Sequence, residues 1–252
     1  MSGKSGPVSR STFRPASEGV AWQRQLRDRY LENGAPPIED LSLRSSVVRP
    51  VTYRLAESVI LRYEWLGTMS KTSHHYGIFW GPYCAGVTCT ALGGGAIAGS
   101  HGHEQFGITP AGLAILARGA CVHWAPPGTN SKLVGWTCRL LARETVAKVL
   151  MAFADTDAGE IGTIYQACNW VYIGKGKGQK DLVAPNGRIY NRKLIGDLAI
   201  RARCSWRRQL DALLAAGWRT QEINPKHRYV YVVDKSDAAL LARVERMRLP
   251  YP

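Results

Sequence analysis

Between Val51 and Arg62 apolar residues return at helical spacing, with Leu55, Val59 and Ile60 on one side. The spacing predicts a helix that runs into an aromatic, acidic loop, Tyr63-Glu64-Trp65-Leu66-Gly67-Thr68-Met69. From His74 to Leu92 aromatic and β-branched residues dominate and Gly81-Pro82 supplies a turn, so the stretch reads as a hairpin of strands His75 to Trp80 and Cys84 to Thr90. Arg118 to Trp124 reads as a strand ended by Pro126-Pro127-Gly128, because two prolines drive the chain out of a sheet. Thr129, Asn130 and Ser131 then offer caps for a helix whose apolar face is Leu133, Trp136, Leu140 and Leu141. Val149 to Ala154 is an unbroken apolar run, as in a strand covered on both faces, and it ends at Asp155. A short helix, Glu160 to Cys168, and a strand from Trp170 to Ile173 complete this central stretch.

The flanks are less regular. Glu18 to Asn33 predicts a helix with Trp22, Leu26 and Tyr30 on one face and Gly34 as its stop, and residues 35–50 read as a linker. The first 17 residues are rich in Ser, Gly, Pro and Arg, too poor in apolar groups to offset the entropy of ordering. Gly93 to Gly107 is a loop without periodicity, and its glycine triplet lacks the GxxxxGK[ST] order of a phosphate-binding loop. Ser205 to Ala216 predicts a helix, Arg228 to Asp234 a strand and Ser236 to Arg248 a last helix. The alternation gives an α/β fold: a mixed central sheet flanked by helices, with one main domain from residue 50 onward and an arm, helix and linker over 1–49. Such sheets bind ligands at their strand ends.

Charge alters this outline by pointing to a partner. Lys and Arg total 33 against 19 Asp and Glu, a net +14 that favours a polyanion. Lys175, Lys177 and Lys180 sit in a glycine-rich segment suited to backbone phosphates, and Arg192 and Lys193 continue the basic run beside Tyr190 and Trp206. Six cysteines without a CxxC pair argue against disulfides and structural zinc, and the histidines show no metal-ligand spacing. No stretch is apolar for long enough to cross a bilayer, so a soluble, cytoplasmic protein is expected. The order of elements is that of the GCN5-related acyltransferase fold, in which a splay between two central strands holds the acyl donor.

Three segments carry a closer likeness: LARGACVHWAPPGTNSKL, LMAFADTDAGEIGTIYQACNWVYIG and PKHRYVYVV. They resemble the Mom DNA-modification proteins of Mu-like phages, and YEWLGTM and HHYGIFW upstream extend the resemblance over roughly residues 50 to 234. The resemblance implies an enzyme of the infected bacterial cell that converts adenine in double-stranded DNA to N6-(carbamoylmethyl)adenine and so evades restriction. It places functional positions on Arg118, Ser131, Asp155 and Tyr165, and by looser spacing on His75 and Glu64.

Physical chemistry suggests roles for these groups. Adenine's exocyclic amine is a weak nucleophile, so Asp155 is expected to take its proton while Tyr165 protonates the departing group or orients the base. Arg118 would hold a phosphate or developing oxyanion. The base would flip from the duplex, with Trp65, Trp124 or Trp170 as stacking partners. Gly128, Asn130 and Ser131 form the expected donor-binding turn. That turn departs from the glycine-rich Q/R-x-x-G-x-G/A cradle of acyltransferases that use coenzyme A, which weakens acetyl-CoA as the donor. Glycyl-tRNA is the expected donor, acetyl-CoA the alternative, and tRNA then a second nucleic-acid partner. Two rival readings are a basic DNA-binding protein without chemistry on the same scaffold and a coenzyme A-dependent N-acetyltransferase.

Overall fold

The computed structural model describes residues 20–93, 102–190 and 192–252, leaving aside the side chains of Lys193 and Asp197. The expected N-terminal arm and most of the glycine loop lie outside these residues. Helix α1 spans Trp22–Asp28, shorter than the periodicity predicts, and its Trp22 and Leu26 are buried. The expected linker is partly structured, because Val47–Pro50 forms strand β1 and pairs antiparallel with β2, His74–Trp80. Between them runs α2, Tyr53–Tyr63, opened by Thr52, whose hydroxyl accepts the Leu55 N–H at 3.3 Å.

Strand β2 turns at Gly81 into β3, Tyr83–Leu92, and β3 pairs antiparallel with β4, Leu113–Cys121. The β4 strand begins five residues before the predicted one and stops short of Trp124. The Pro126-Pro127-Gly128 turn leads into α3, Thr129–Glu144, followed by β5, Val149–Ala154. Burial on α3 falls on Leu133, Val134, Thr137, Cys138 and Leu141, so the inward face is rotated from the predicted one and Trp136 and Leu140 lie at its margins. The short helix α4 covers only Thr163–Ala167, and β6 is Val171–Lys175. Later elements are β7 (Gln179–Val183), β8 (Ile189–Tyr190), α5 (Lys193–Arg201), α6 (Trp206–Ala215), β9 (Arg219–Ile223), β10 (His227–Val232) and α7 (Ala238–Glu245).

A seven-stranded sheet runs β1-β2-β3-β4-β5-β10-β6. Alternation along β4 and β5 divides the core between its two faces. Ala114, Leu116, Leu150 and Ala152 join the cluster formed with α2 and α3. Leu113, Ile115, Val149 and Met151 face Leu240 and Val244 of α7. Each buried aliphatic of this kind contributes on the order of 2 kcal/mol, which explains why strands covered on both sides read as continuous apolar runs.

The pairing of β4 with β5 positions the site. It is parallel and involves only Leu113, Ile115 and the residue between them, against Val149, Leu150 and Met151. Beyond Ile115, β4 stays with β3 and β5 stays with β10, so the two central strands part as the resemblance implied. A second sheet, β8-β7-β9, and helices α5 and α6 form an insertion between β6 and β10, of which the sequence pattern revealed α6, over Ser205 to Ala216, and not the second sheet or α5. Among the described residues no helix is long and apolar enough to cross a membrane.

Candidate active site

Where β4 and β5 separate, side chains from four parts of the chain converge. Arg118 projects from β4 and is clamped by the loop after α2: its Nε donates to Thr68 O at 2.7 Å and Nη2 to Thr68 Oγ1 at 3.3 Å. Glu64 closes α2 and begins that loop. Its carboxyl is buried and leaves Oε2 without a hydrogen-bond partner, while the Gly67 N–H donates to the Glu64 backbone carbonyl at 2.9 Å. Burial pushes Glu64 up to about 7; the Arg118 guanidinium opposes the shift and nearby Glu160 adds to it. An acid with this value is poised to exchange a proton near neutrality.

The chain leaving β5 supplies the opposite wall. Asp155 is 3% exposed, caps a 3-10 turn by accepting the Asp157 N–H at 3.1 Å, and pairs with Lys226 Nζ at 2.8 Å. Its predicted place at the strand mouth is observed, and it serves there as both cap and ion-pair partner. Glu160, which sequence reasoning passed over, bridges the walls. Its Oε2 accepts the Asp155 N–H at 2.9 Å and its Oε1 accepts Trp65 Nε1–H at 3.0 Å. Burial raises the Glu160 carboxyl, with the Asp155 N–H bond pulling it back. Lys226 was also missed, although it lies in the quoted PKHRYVYVV, because 71 residues separate it from Asp155.

Tyr165 on α4 lies within electrostatic reach of Glu160 and Glu64. Burial first, then Glu160, Cys168 and Glu64, holds its phenol well above the usual tyrosine range, so the hydroxyl remains a proton donor. The ring packs at 5.0 Å from Trp170 and 5.2 Å from Tyr229. Gly162 makes this packing possible: at φ +73° it sits where a Cβ would lie 2.2 Å from the Tyr229 ring. Ser131 joins the group through its backbone, since Cys168 Sγ donates to Ser131 O at 3.3 Å.

His75 is placed farther along. Its Nε2 is 2.8 Å from Thr72 Oγ1 and its ring meets Tyr53 edge-on, beside a groove of about 530 Å³ lined by Tyr53, residues 69–73, Ala91 and Leu92. Burial and then His74 lower its pKa, favouring a neutral imidazole. The expected base-stacking tryptophans need correction. Trp65 is 4% exposed and wedged against Trp22 at 5.1 Å, and Trp170 is wholly buried, so neither offers a face to a flipped base. Trp124 is half-buried and packs edge-on against Trp80. Lys175, Lys177, Lys180 and Arg192 are exposed, with Lys180 3.5 Å from Glu222; the Lys193 side chain lies outside the described residues.

The turn before α3 tests the donor expectation. Gly128 precedes the helix at φ +83°, and none of the predicted side chains caps it. Pro126 and Pro127 have no N–H, and the Thr129 N–H is taken by Pro126 O at 3.2 Å. The Leu43 side chain lies 2.8 Å from where a Gly128 Cβ would stand, and Lys132 Nζ ties the same segment down through Ser46 O and Oγ, each at 2.8 Å. These residues do not fit the cradle that holds a coenzyme A pyrophosphate by consecutive backbone N–H groups. Among the described residues no three metal-ligating side chains converge.

A model of the Mom protein family matches residues 45–252. No curated protein matches the chain. Among solved structures, an N-acetyltransferase from Staphylococcus aureus is similar at 8% identity and TM-score 0.40, covering 75% of this chain and 97% of that one. A probable acetyltransferase from Staphylococcus epidermidis shares 12% identity at TM-score 0.42, covering 74% and 98%. An N-acyl amino acid synthase from uncultured soil microbes shares 15% identity at TM-score 0.43, covering 75% and 92%.

Proposed function

The chain belongs to the Mom protein family, and from that premise we propose that it is a transferase that converts adenine in double-stranded DNA to N6-(carbamoylmethyl)adenine, shielding phage DNA from restriction. The observation that carries the reading is the buried Glu64 carboxyl. It has one oxygen without a partner, it is raised to about 7, and it lies within electrostatic reach of the Arg118 guanidinium and the protonated Tyr165 phenol.

Acylation of the adenine amine requires a base, an oxyanion partner and an acid. Glu64 takes the proton from N6 as it attacks the acyl carbon, a role that suits it better than Asp155, whose oxygens are engaged by Lys226 and the Asp157 N–H. Arg118 balances charge developing on the acyl oxygen. Tyr165 gives its proton to the departing alkoxide. Asp155, Lys226 and Glu160 hold the wall in register.

Glycyl-tRNA is the proposed donor, since the group added is a glycine skeleton. Once N6 carries the glycyl group, its free amine attacks ring carbon 6 through a five-membered arrangement. The bond from carbon 6 to the original nitrogen breaks, the attacking amine loses a proton, and the departing nitrogen gains one as the carboxamide. Purified protein incubated with adenine-containing duplex and labelled glycyl-tRNA should place label in DNA, with acetyl-CoA in a parallel reaction. Label from acetyl-CoA alone overturns the donor, and unmodified nucleosides in DNA from expressing cells overturn the enzymatic reading in favour of a DNA-binding protein.

A further inference from the structure

Residues 176–226 hold eleven Lys and Arg against four Asp and Glu, a net +7 that is half the charge of the chain in a fifth of its length. The segment has its own small core of Leu182, Ile195 and Leu213 with Tyr190, Leu210 and Trp218 around it. Helix α5 is followed by a four-residue turn, Ala202-Arg203-Cys204-Ser205, and then by α6. The turn is well built: Arg203 takes a left-handed φ of +50°, the Cys204 N–H reaches Ala199 O at 3.0 Å, and Ser205 Oγ caps α6 by accepting the Arg208 N–H at 3.2 Å. Two helices joined this way present the start of the second to a DNA groove in helix-turn-helix proteins.

The start of α6 carries Trp206, Arg207 and Arg208, all exposed, with the Arg192 guanidinium 4.6 Å above the Trp206 ring. Among the described residues Arg201, Arg203, Arg207 and Arg208 form no ion pair, so their charge is available to a partner. The foot of the insertion is fastened to the active site. Asn224 donates to Asp157 through its backbone N–H at 3.2 Å and through Nδ2 at 2.7 Å, and Lys226 pairs with Asp155.

We propose that residues 176–226 form a DNA-docking module in which the α5–α6 turn and the first turn of α6 grip duplex phosphates and hold the helix end at a groove, away from the chemistry. The partner follows from the proposed function, and the surface follows from the helix pair and its unpaired charge. Trp206, with Arg192 stacked on it, stands at the edge of the contact.

The test is binding of the full chain to a fluorescent adenine-containing duplex without any donor, across a salt series. R207A/R208A should weaken binding at least tenfold and lower the slope of log affinity against log salt by about 2, since each phosphate contact contributes roughly 0.9. R207Q/R208Q should behave alike, and both variants should keep the wild-type melting temperature. R143A/R246A removes equal charge from exposed positions elsewhere and should leave the slope unchanged. Equal losses in the two double variants overturn the proposal, as does a loss confined to tRNA binding with duplex affinity intact. Because no donor is present, failure of the adenine chemistry leaves this readout standing, and a failed docking result leaves label transfer free to succeed.

Discussion

Replacing Glu64 with glutamine separates the proposed proton acceptor from its shape. The carboxyl is raised from 4.5 to about 7 inside the fold. The unfolded chain therefore releases this proton near 4.5 and the folded chain near 7, and the native state holds more protons between those values. The Glu64 contribution to stability is fully present below about pH 4.5, declines as pH rises, and is gone above about 7. Each pKa unit corresponds to about 1.4 kcal/mol, so the folded state bears a cost on the order of 3 kcal/mol once Glu64 is ionised. Glutamine keeps the size and shape of the side chain, leaves the Gly67 N–H bond to the backbone carbonyl of residue 64 intact, and has nothing to ionise. Urea unfolding should find Glu64→Gln close to wild type at pH 4.5 and more stable by about 2 to 3 kcal/mol at pH 8. Label transfer to DNA should fall at least about 100-fold in the variant, and wild-type activity should rise with pH through 7. An equal loss of stability at both pH values, or a wild-type rate flat from pH 5.5 to 8.5, refutes the reasoning.

Three further outcomes follow from the same geometry. Tyr165→Phe removes a hydroxyl that makes no hydrogen bond among the described residues, so stability should hold within about 0.5 kcal/mol while modification drops about 100-fold; full activity would remove Tyr165 from the mechanism. Gly162→Ala drives a Cβ into the Tyr229 ring at a positive φ, and calorimetry should show about 2 to 4 kcal/mol of lost stability. A wild-type melting temperature would contradict the packing described. Lys226→Met leaves the buried Asp155 carboxylate without its cation. The cost should be about 2 kcal/mol, below that of a fully buried pair because Lys226 is a third exposed, and Asp155→Asn in the same chain should recover part of it. Additive losses would show that the pair is not coupled.

Much of the frame was legible because its signals are local. The period of α2, the turn at Gly81 and the apolar run of β5 each depend on neighbours within a few residues, and they stand within one or two positions of where the pattern places them. Asp155 at a strand mouth and Tyr165 on the next helix were legible for the same reason. The family likeness, carried by short continuous segments, agrees with the match over residues 45–252.

The rest depended on partners far apart in the chain. Composition marks Trp65 and Trp170 as stacking surfaces, but Trp22 from α1 and the rings of Tyr165 and Tyr231 bury them. The sequence contains four acidic or basic candidates at the site, yet only the fold decides that burial, with Glu160 nearby, raises Glu64 against the opposing Arg118, while Lys226 pairs with Asp155. Leu43 reaches Gly128 across 85 residues, and the second sheet pairs residues up to 44 positions apart, Gln179 with Ile223. Hydrophobic period and turn chemistry therefore determined the elements and their order. Desolvation and long-range packing, which act between residues with no sequence relation, decided what those elements bring together.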